Sequence, residues 1–347
     1  MKTLPLGRTG IEVTEWCLGT MTYGNQTPED DAHNQIDMAL DAGINFLDTA
    51  EAYPVNPIKA ETVGLSEEIV GNWLAKTGRR DDVIIATKVS GNNPGWVRDG
   101  KGFDAGNIRE TTEASLKRLK TDVIDLYQLH WPDRGSYMFR QNWTFDPSGQ
   151  NRQKTLDHMM GVLTTLGDLV KEGKIRAVGT SNESAWGMTK WVDLAEEAGL
   201  PRMAAVQNEY SLLCRLYDTD MAEMSVNEDV TLLAFSPLAC GLLTGKYQNG
   251  ALPEGSRMAI NGDLGGRKSD RVFEVTQAYL DLAAKHGVDP VHMSMAWQRT
   301  RPFPVSAIFG ATTCAQLEQI LGGKDVVLSD ELVAEIDQVH RAHPMPY

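Results

Sequence analysis

The feature that most constrains the fold of this chain is an eightfold alternation. Short apolar runs occur at residues 16–21 (WCLGTM), 45–50 (NFLDTA), 83–89 (VIIATKV) and 123–130 (VIDLYQLH). Four more follow at residues 177–181 (AVGTS), 204–209 (AAVQNE), 231–237 (TLLAFSP) and 307–312 (AIFGAT). The runs are apolar on both faces, as a parallel sheet covered by helices requires. Between them lie longer stretches with helical signals. Thr27, Pro28, Glu29 and Asp30 read as a cap, a first-turn proline and acids that suit a positive helix end, with Gly43 as the stop. Residues 66–76 place Ile69, Val70, Trp73 and Leu74 on one stripe, and Gly78 follows. Residues 107–120, 166–171, 185–197, 272–285 and 290–299 continue the pattern. Eight strand-then-helix units predict an α/β fold of the (β/α)8 TIM-barrel type. A doubly wound sheet usually has fewer strands and a glycine-rich first turn, and no GxGxxG follows the first run.

Residues 4–13, with Gly7, Arg8, Thr9 and Gly10 at their centre, predict a small β-hairpin ahead of the barrel. No low-complexity linker or composition break divides the 347 residues, so a single domain over 1–347 is expected. Two connections after strands are long: 90–106 and 131–154. The second carries Trp131, Tyr137, Phe139, Trp143 and Phe145, an expected aromatic wall around an organic substrate on the barrel face where active sites form.

Charge narrows the function. Lys and Arg number 33 against 47 Asp and Glu, a net charge of −14, which repels phosphate backbones and anionic lipid surfaces. Neither nucleic acid nor a membrane is an expected partner. No apolar run approaches the roughly 20 residues of a membrane span, and the first residues lack the apolar core of a signal peptide. Cys17, Cys214, Cys240 and Cys314 lie far apart, which predicts buried reduced thiols. A cytoplasmic protein acting on a small molecule is the expectation; oligomeric state is not legible.

Three ionisable residues close three consecutive strands: Asp48, Lys88 and His130. Tyr53 lies five residues past Asp48. Singly, each reads as a turn cap, a rim charge or a satisfied polar group. Together they would converge on one mouth. A phenol is a poor acid at neutral pH, with a free pKa near 10. An adjacent ammonium is expected to lower that pKa, a carboxylate to keep the ammonium charged, and a neutral imidazole to orient a carbonyl oxygen. Lys88 could instead form a Schiff base, as in an aldolase.

The motifs GTMTYG (19–24), NFLDTAEAY (45–53), ATK (86–88), DLYQLHWPD (125–133), GTSN (179–182), QNEYSLL (207–213), FSPLACGLLTGKY (235–247) and GATT (310–313) resemble the aldo-keto reductases. They occur in that family's order across essentially the whole chain. The EAYP loop at 51–54 is similar to that of the bacterial Tas-like branch, and the Kv-channel β subunits are more distantly similar. The resemblance implies a metal-free barrel that reduces aldehydes or ketones with NADP(H). It makes Tyr53 the general acid, with Asp48 and Lys88 tuning it and His130 orienting the carbonyl.

It also implies a cofactor site. Thr20, Met21 and Asp48 fall among its positions; Ser181, Asn182 and Gln207 match the holders of the nicotinamide carboxamide, and Phe235 stacks on the ring. Ser236, Pro237, Leu238, Lys246 and Arg257 fall on the segment wrapping the pyrophosphate and 2′-phosphate, with 248–256 as a belt. Gly310, Thr312, Gln316 and Gln319 align with the adenosine end. Ile320 stands where the family commonly has Asn, and Gln319 where Glu is usual, which implies a reorganised adenine contact. A regulatory NADP(H) sensor of the Kv β type, with little turnover, is the alternative. Residues 241–247 miss the Walker A spacing, and His340 and His343 read as part of a solvated polar tail.

Overall fold

The computed structural model describes residues 1–347. Strands β1 (Thr3–Pro5) and β2 (Glu12–Thr14) pair antiparallel, with Thr3 opposite Thr14. Eight parallel strands follow: β3 (Trp16–Gly19), β4 (Phe46–Asp48), β5 (Ile84–Val89), β6 (Ile124–Leu129), β7 (Ile175–Ser181), β8 (Met203–Glu209), β9 (Thr231–Phe235) and β10 (Val305–Phe309). They close into a barrel in chain order, β10 pairing with both β3 and β9. Helices α1 (Glu29–Asp41), α2 (Leu65–Thr77), α3 (Ile108–Leu119), α4 (Arg152–Lys171), α5 (Ala185–Ala198) and α6 (Asp220–Asn227) each follow one of the first six barrel strands. Between β9 and β10 lie α7 (Arg257–Ile260), α8 (Asp270–Lys285) and α9 (Pro290–Trp297). The chain continues through α10 (Cys314–Leu321) and α11 (Asp330–Ala342). This is the expected TIM barrel with its hairpin.

The hairpin sets the floor. Leu6, Ile11 and Val13 cluster with Cys17, Phe46, Ala86, Leu126, Ala177, Ala205, Leu233 and Ile308, which line the barrel interior. Gly7 permits that approach: its φ is +55°, and a Cβ there would stand 2.7 Å from the carbonyl oxygen of Ala204. Strand side chains alternate faces, so the next inward-facing residue is two positions further on. Above Phe46 comes Asp48; above Ala86, Lys88; above Leu126, Gln128. Gln207 and Phe235 follow by the same count from Ala205 and Leu233, and Ser181 by twice that count from Ala177. The polar mouth is a consequence of the period applied to an apolar floor. A second, larger core between barrel and helices is built on Trp16, Trp73, Tyr127 and Val178.

Several boundaries differ from the sequence expectations. Thr27 does not cap α1; Pro28 occupies the N-cap, and the Thr27 hydroxyl bonds that of Thr22 at 2.8 Å. Helix α4 starts at Arg152, with the Asn151 side chain accepting from the Lys154 amide, far ahead of residue 166. Its first turn is polar and exposed, so its apolar stripe emerges only from Met159 onward. Helix α11 replaces the expected polar tail: Ser329 caps it and Leu332 and Ile336 anchor it. His340 therefore sits half-buried in its last turn. Of the four thiols, only Cys17 and Cys214 are buried; Cys240 and Cys314 are half-buried. The long connections after β5 and β6 are present, and a third, 236–269, follows β9. No helix is long and apolar enough to cross a membrane.

Candidate active site

Asp48, Lys88 and Tyr53 form one hydrogen-bonded cluster at the mouth. The Lys88 ammonium, fully buried, donates to Asp48 Oδ2 at 2.6 Å, to the Thr49 carbonyl at 2.8 Å and to the Tyr53 hydroxyl at 3.3 Å. Tyr53 is held by its backbone. Its amide donates to the Ala50 carbonyl, and its own carbonyl accepts from Gly64 and Ser66 at the start of α2. The His130 ring meets the Tyr53 ring edge to face, with centroids 5.8 Å apart.

Burial and charge oppose each other here. Burial would push Lys88 down, but Asp48 and Tyr53 outweigh it and hold the ammonium above its ordinary range. An ammonium engaged by Asp48 and the Thr49 carbonyl has no free electron pair to offer a carbonyl, which argues against the aldolase alternative. Burial, joined by the Lys88 charge, drives His130 well below the usual imidazole range, so the ring is neutral. Tyr53 departs from expectation. Burial raises its pKa, and the Lys88 charge reduces that rise without reversing it. The phenol is a buried neutral donor, not one with a lowered pKa.

Two buried glutamines complete the floor of the cluster. Gln207 Nε2 donates to Asp48 Oδ1 at 2.8 Å and to Gln128 Oε1 at 3.1 Å, and Gln128 Nε2 donates to Asp48 Oδ1 at 3.2 Å. Gln128 was missed in the sequence. Its signal was a polar residue at an inward-facing position, two before His130.

The residues expected to hold a nicotinamide nucleotide fall into groups along the rim. Ser181 and Asn182 stand beside His130: Asn182 Nδ2 donates to the His130 carbonyl at 2.9 Å and to Ser181 Oγ at 3.1 Å. Asn182 Oδ1 is buried with no partner, an acceptor whose chemistry suits a carboxamide N–H. Thr20 is anchored to the Asp48 carbonyl, and Met21 accepts from Val55. Phe235 ends β9 half-buried. Beyond it Ser236, Ala239 and Cys240 have positive φ, interleaved with Pro237 and Leu238, so the chain turns tightly here. Lys246 lies 5.2 Å over the Tyr247 ring; burial and then the nearby Arg257 charge lower its pKa. Arg257 opens α7, and its charge also reaches Tyr53.

At the other end, Gly310 lies just past β10. The backbone amide and hydroxyl of Thr312 both donate to Gln316 Oε1 at 3.0 Å. Gln316 and Gln319 are exposed on α10, whereas Ile320 is buried in the outer core. The rim thus offers Ile320 to packing and not to a ligand.

The aromatic wall is narrower than expected. Trp131 packs on His130 at 4.6 Å and meets Phe139 edge to face at 6.1 Å. Tyr137 pairs with Phe145, and Trp143 is 65% exposed.

By fold and site the chain stands with the TIM-barrel oxidoreductases. The model described as "Aldo/keto reductase family" matches residues 15–341, and the chain belongs to that family, whose members generally use NAD(P)H. It is 44% identical to Protein tas of Escherichia coli (strain K12), over 97% of this chain and 96% of that protein. It is 33% identical to the uncharacterized oxidoreductase YrpG of Bacillus subtilis (strain 168), over 96% and 94% of the two chains. A probable voltage-gated potassium channel subunit beta of Arabidopsis thaliana is 30% identical over 98% and 96%.

Proposed function

We propose that this protein is an NADPH-dependent reductase of aldehydes or ketones, with Tyr53 as general acid. The observation that carries the reading is the buried Asp48–Lys88–Tyr53 chain of hydrogen bonds beside a neutral His130. NADPH, when bound, supplies the hydride. Asn182, with Ser181 and Gln207, would hold its carboxamide; the turns after Phe235 would hold its pyrophosphate. Lys246 and Arg257, two cations near each other in an acidic protein, would hold the 2′-phosphate. Thr312, Gln316 and Gln319 would meet the adenosine.

His130, neutral, orients the carbonyl oxygen by hydrogen bonding. Tyr53 gives its hydroxyl proton to that oxygen as negative charge develops there. Lys88 stabilises the phenolate left behind, and Asp48 fixes Lys88. Trp131 and Phe139 shield the reacting carbon from water. We further propose one domain over residues 1–347 and, from four unpaired thiols, a cytoplasmic setting. The potassium-channel relatives raise a sensor role, but a charged lysine bonded to a protonated phenol is machinery for turnover.

The test is NADPH oxidation across a panel of activated aldehydes and ketones. Tyr53→Phe is expected to lower kcat by about 10²–10⁴ with nucleotide affinity kept. NADPH is expected to exceed NADH at least about tenfold in kcat/KM, a preference lost in Arg257→Ala. Full activity in Tyr53→Phe overturns the mechanism; equal use of both nucleotides overturns the cofactor assignment.

A further inference from the structure

Glu209 ends β8, two residues beyond Gln207 on the inward-facing row, and its carboxylate is buried. Side chains from three separate segments reach it. Arg267 Nε donates to Oε1 at 2.7 Å, Arg140 Nη1 to Oε2 at 2.9 Å, and the Tyr347 hydroxyl to Oε1 at 3.0 Å. Arg267 belongs to the loop after β9 that also carries Lys246 and Arg257, and its Nη1 holds the Leu264 carbonyl at 2.9 Å. Arg140 belongs to the loop after β6 and directly follows Phe139 of the aromatic wall.

The two loops abut: a Cβ on Gly265 would stand 3.2 Å from Arg140 Nη2. The aromatic loop is also tied to the rim next door, where Ser136 Oγ donates to the Asn182 carbonyl at 2.9 Å and Arg134 pairs with Glu183. Burial alone would push Glu209 up, but the two guanidiniums outweigh it and keep the carboxylate ionised. A buried carboxylate that has lost one of two counter-charges is left undercompensated, which destabilises the arrangement of its remaining partner and the segment that carries it. One carboxylate therefore serves both walls of the site.

We propose that Glu209 is a positioning residue that couples the wider belt loop, residues 236–269, to the aromatic loop, so that loosening either wall loosens the other. Calling the belt the nucleotide side rests on the function proposed above; the coupling itself does not. Hydrogen exchange of the nucleotide-free protein tests it, read in segments 134–150 and 256–268. Arg140→Met is expected to speed exchange in 256–268 as well as in its own loop, and Arg267→Met to do the reverse. About fivefold in the distant segment is the lower end of ordinary coupling between sites. Arg140→Lys, which keeps the charge, restores the belt.

Tyr347→Phe removes one hydrogen bond and no charge, and reproduces the pattern at smaller amplitude should the arginine variants fold poorly. A second readout is NADP⁺ release by stopped flow, expected to quicken about fivefold in Arg140→Met, which lies outside the belt. Faster exchange confined to each variant's own loop overturns the coupling. A wild type that binds neither nucleotide overturns the proposed function instead, and the exchange result still decides the coupling.

Discussion

Replacing Lys88 by Met separates the structural and chemical roles of the buried pair. The ammonium is fully buried and makes three hydrogen bonds, two of them to groups with no solvent to turn to. Its loss leaves the Asp48 carboxylate buried with only the amides of Gln207 and Gln128, both on Oδ1. Removing one partner of a buried ion pair costs about 3–5 kcal/mol, because the remaining charge is uncompensated. Adding Asp48→Asn removes that charge and is expected to recover about 2 kcal/mol or more. Denaturant unfolding of wild type, both single variants and the double variant measures the cycle. Activity behaves differently. Carbonyl reduction falls by about 10²–10⁴ in Lys88→Met and does not return in the double variant, since the phenolate has lost its ammonium in both. If the double variant is no more stable than Lys88→Met, the uncompensated charge is not what sets the cost. If Lys88→Met reduces at the wild-type rate, Lys88 has no part in proton transfer.

The pH dependence follows from two directions. The proposed mechanism needs Tyr53 protonated, and its pKa lies above that of an ordinary phenol; it needs His130 neutral, and its pKa lies well below that of an ordinary imidazole. At saturating NADPH, kcat for carbonyl reduction is expected to be flat from roughly pH 6 to roughly pH 9 and to fall only above that window; a limb near 6.5 would mean that His130 titrates. Gln128→Leu leaves Gln207 with one acceptor fewer and Asp48 with one donor fewer, and is expected to lower stability by about 1–3 kcal/mol in denaturant melts; a melt equal to wild type would show the glutamine bonds to be dispensable. Gly7→Ala places a methyl against the Ala204 backbone at a positive φ and should cost about 2 kcal/mol or more, whereas Gly10→Ala, also at positive φ but in open space, should cost about half that. Equal losses at the two glycines would mean that the hairpin does not plug the barrel floor.

What was legible in the sequence was whatever the strand period carries. Asp48 and Lys88 sit two residues above apolar floor residues, so a strand reading sufficed to bring them to one mouth. Tyr53 is different: its place depends on a loop in which the Tyr53 carbonyl is captured by the start of α2, so the sequence offered only its spacing from Asp48, and the family resemblance supplied its role. Helix α4 was cut short because its first turn is polar, and the expected wall counted Trp143 because residue type says nothing about which way an exposed loop side chain faces. The Glu209 knot was not legible at all. Its partners stand 58, 69 and 138 residues away, in segments with no periodicity to place them.

The sign of the Tyr53 shift shows where sequence reasoning about a site stops. An ammonium next to a phenol was readable from Lys88 and Tyr53, and by itself it argues for a lowered pKa. The degree to which the barrel mouth excludes water was not readable, and in the folded chain that effect is the larger of the two. The two tendencies are not in conflict once the reaction is considered. In the resting site the phenol keeps its proton, and Lys88 spends most of its bonding on Asp48 and Thr49, at shorter distances than on Tyr53. Negative charge appears only as a carbonyl oxygen becomes an alkoxide. In a buried site a preformed ammonium then stabilises the departing proton's phenolate far more than water could. In the proposed reaction the acidity asked of Tyr53 therefore belongs to the transition state and not to the resting enzyme, which is where an interaction accelerates a reaction instead of merely binding.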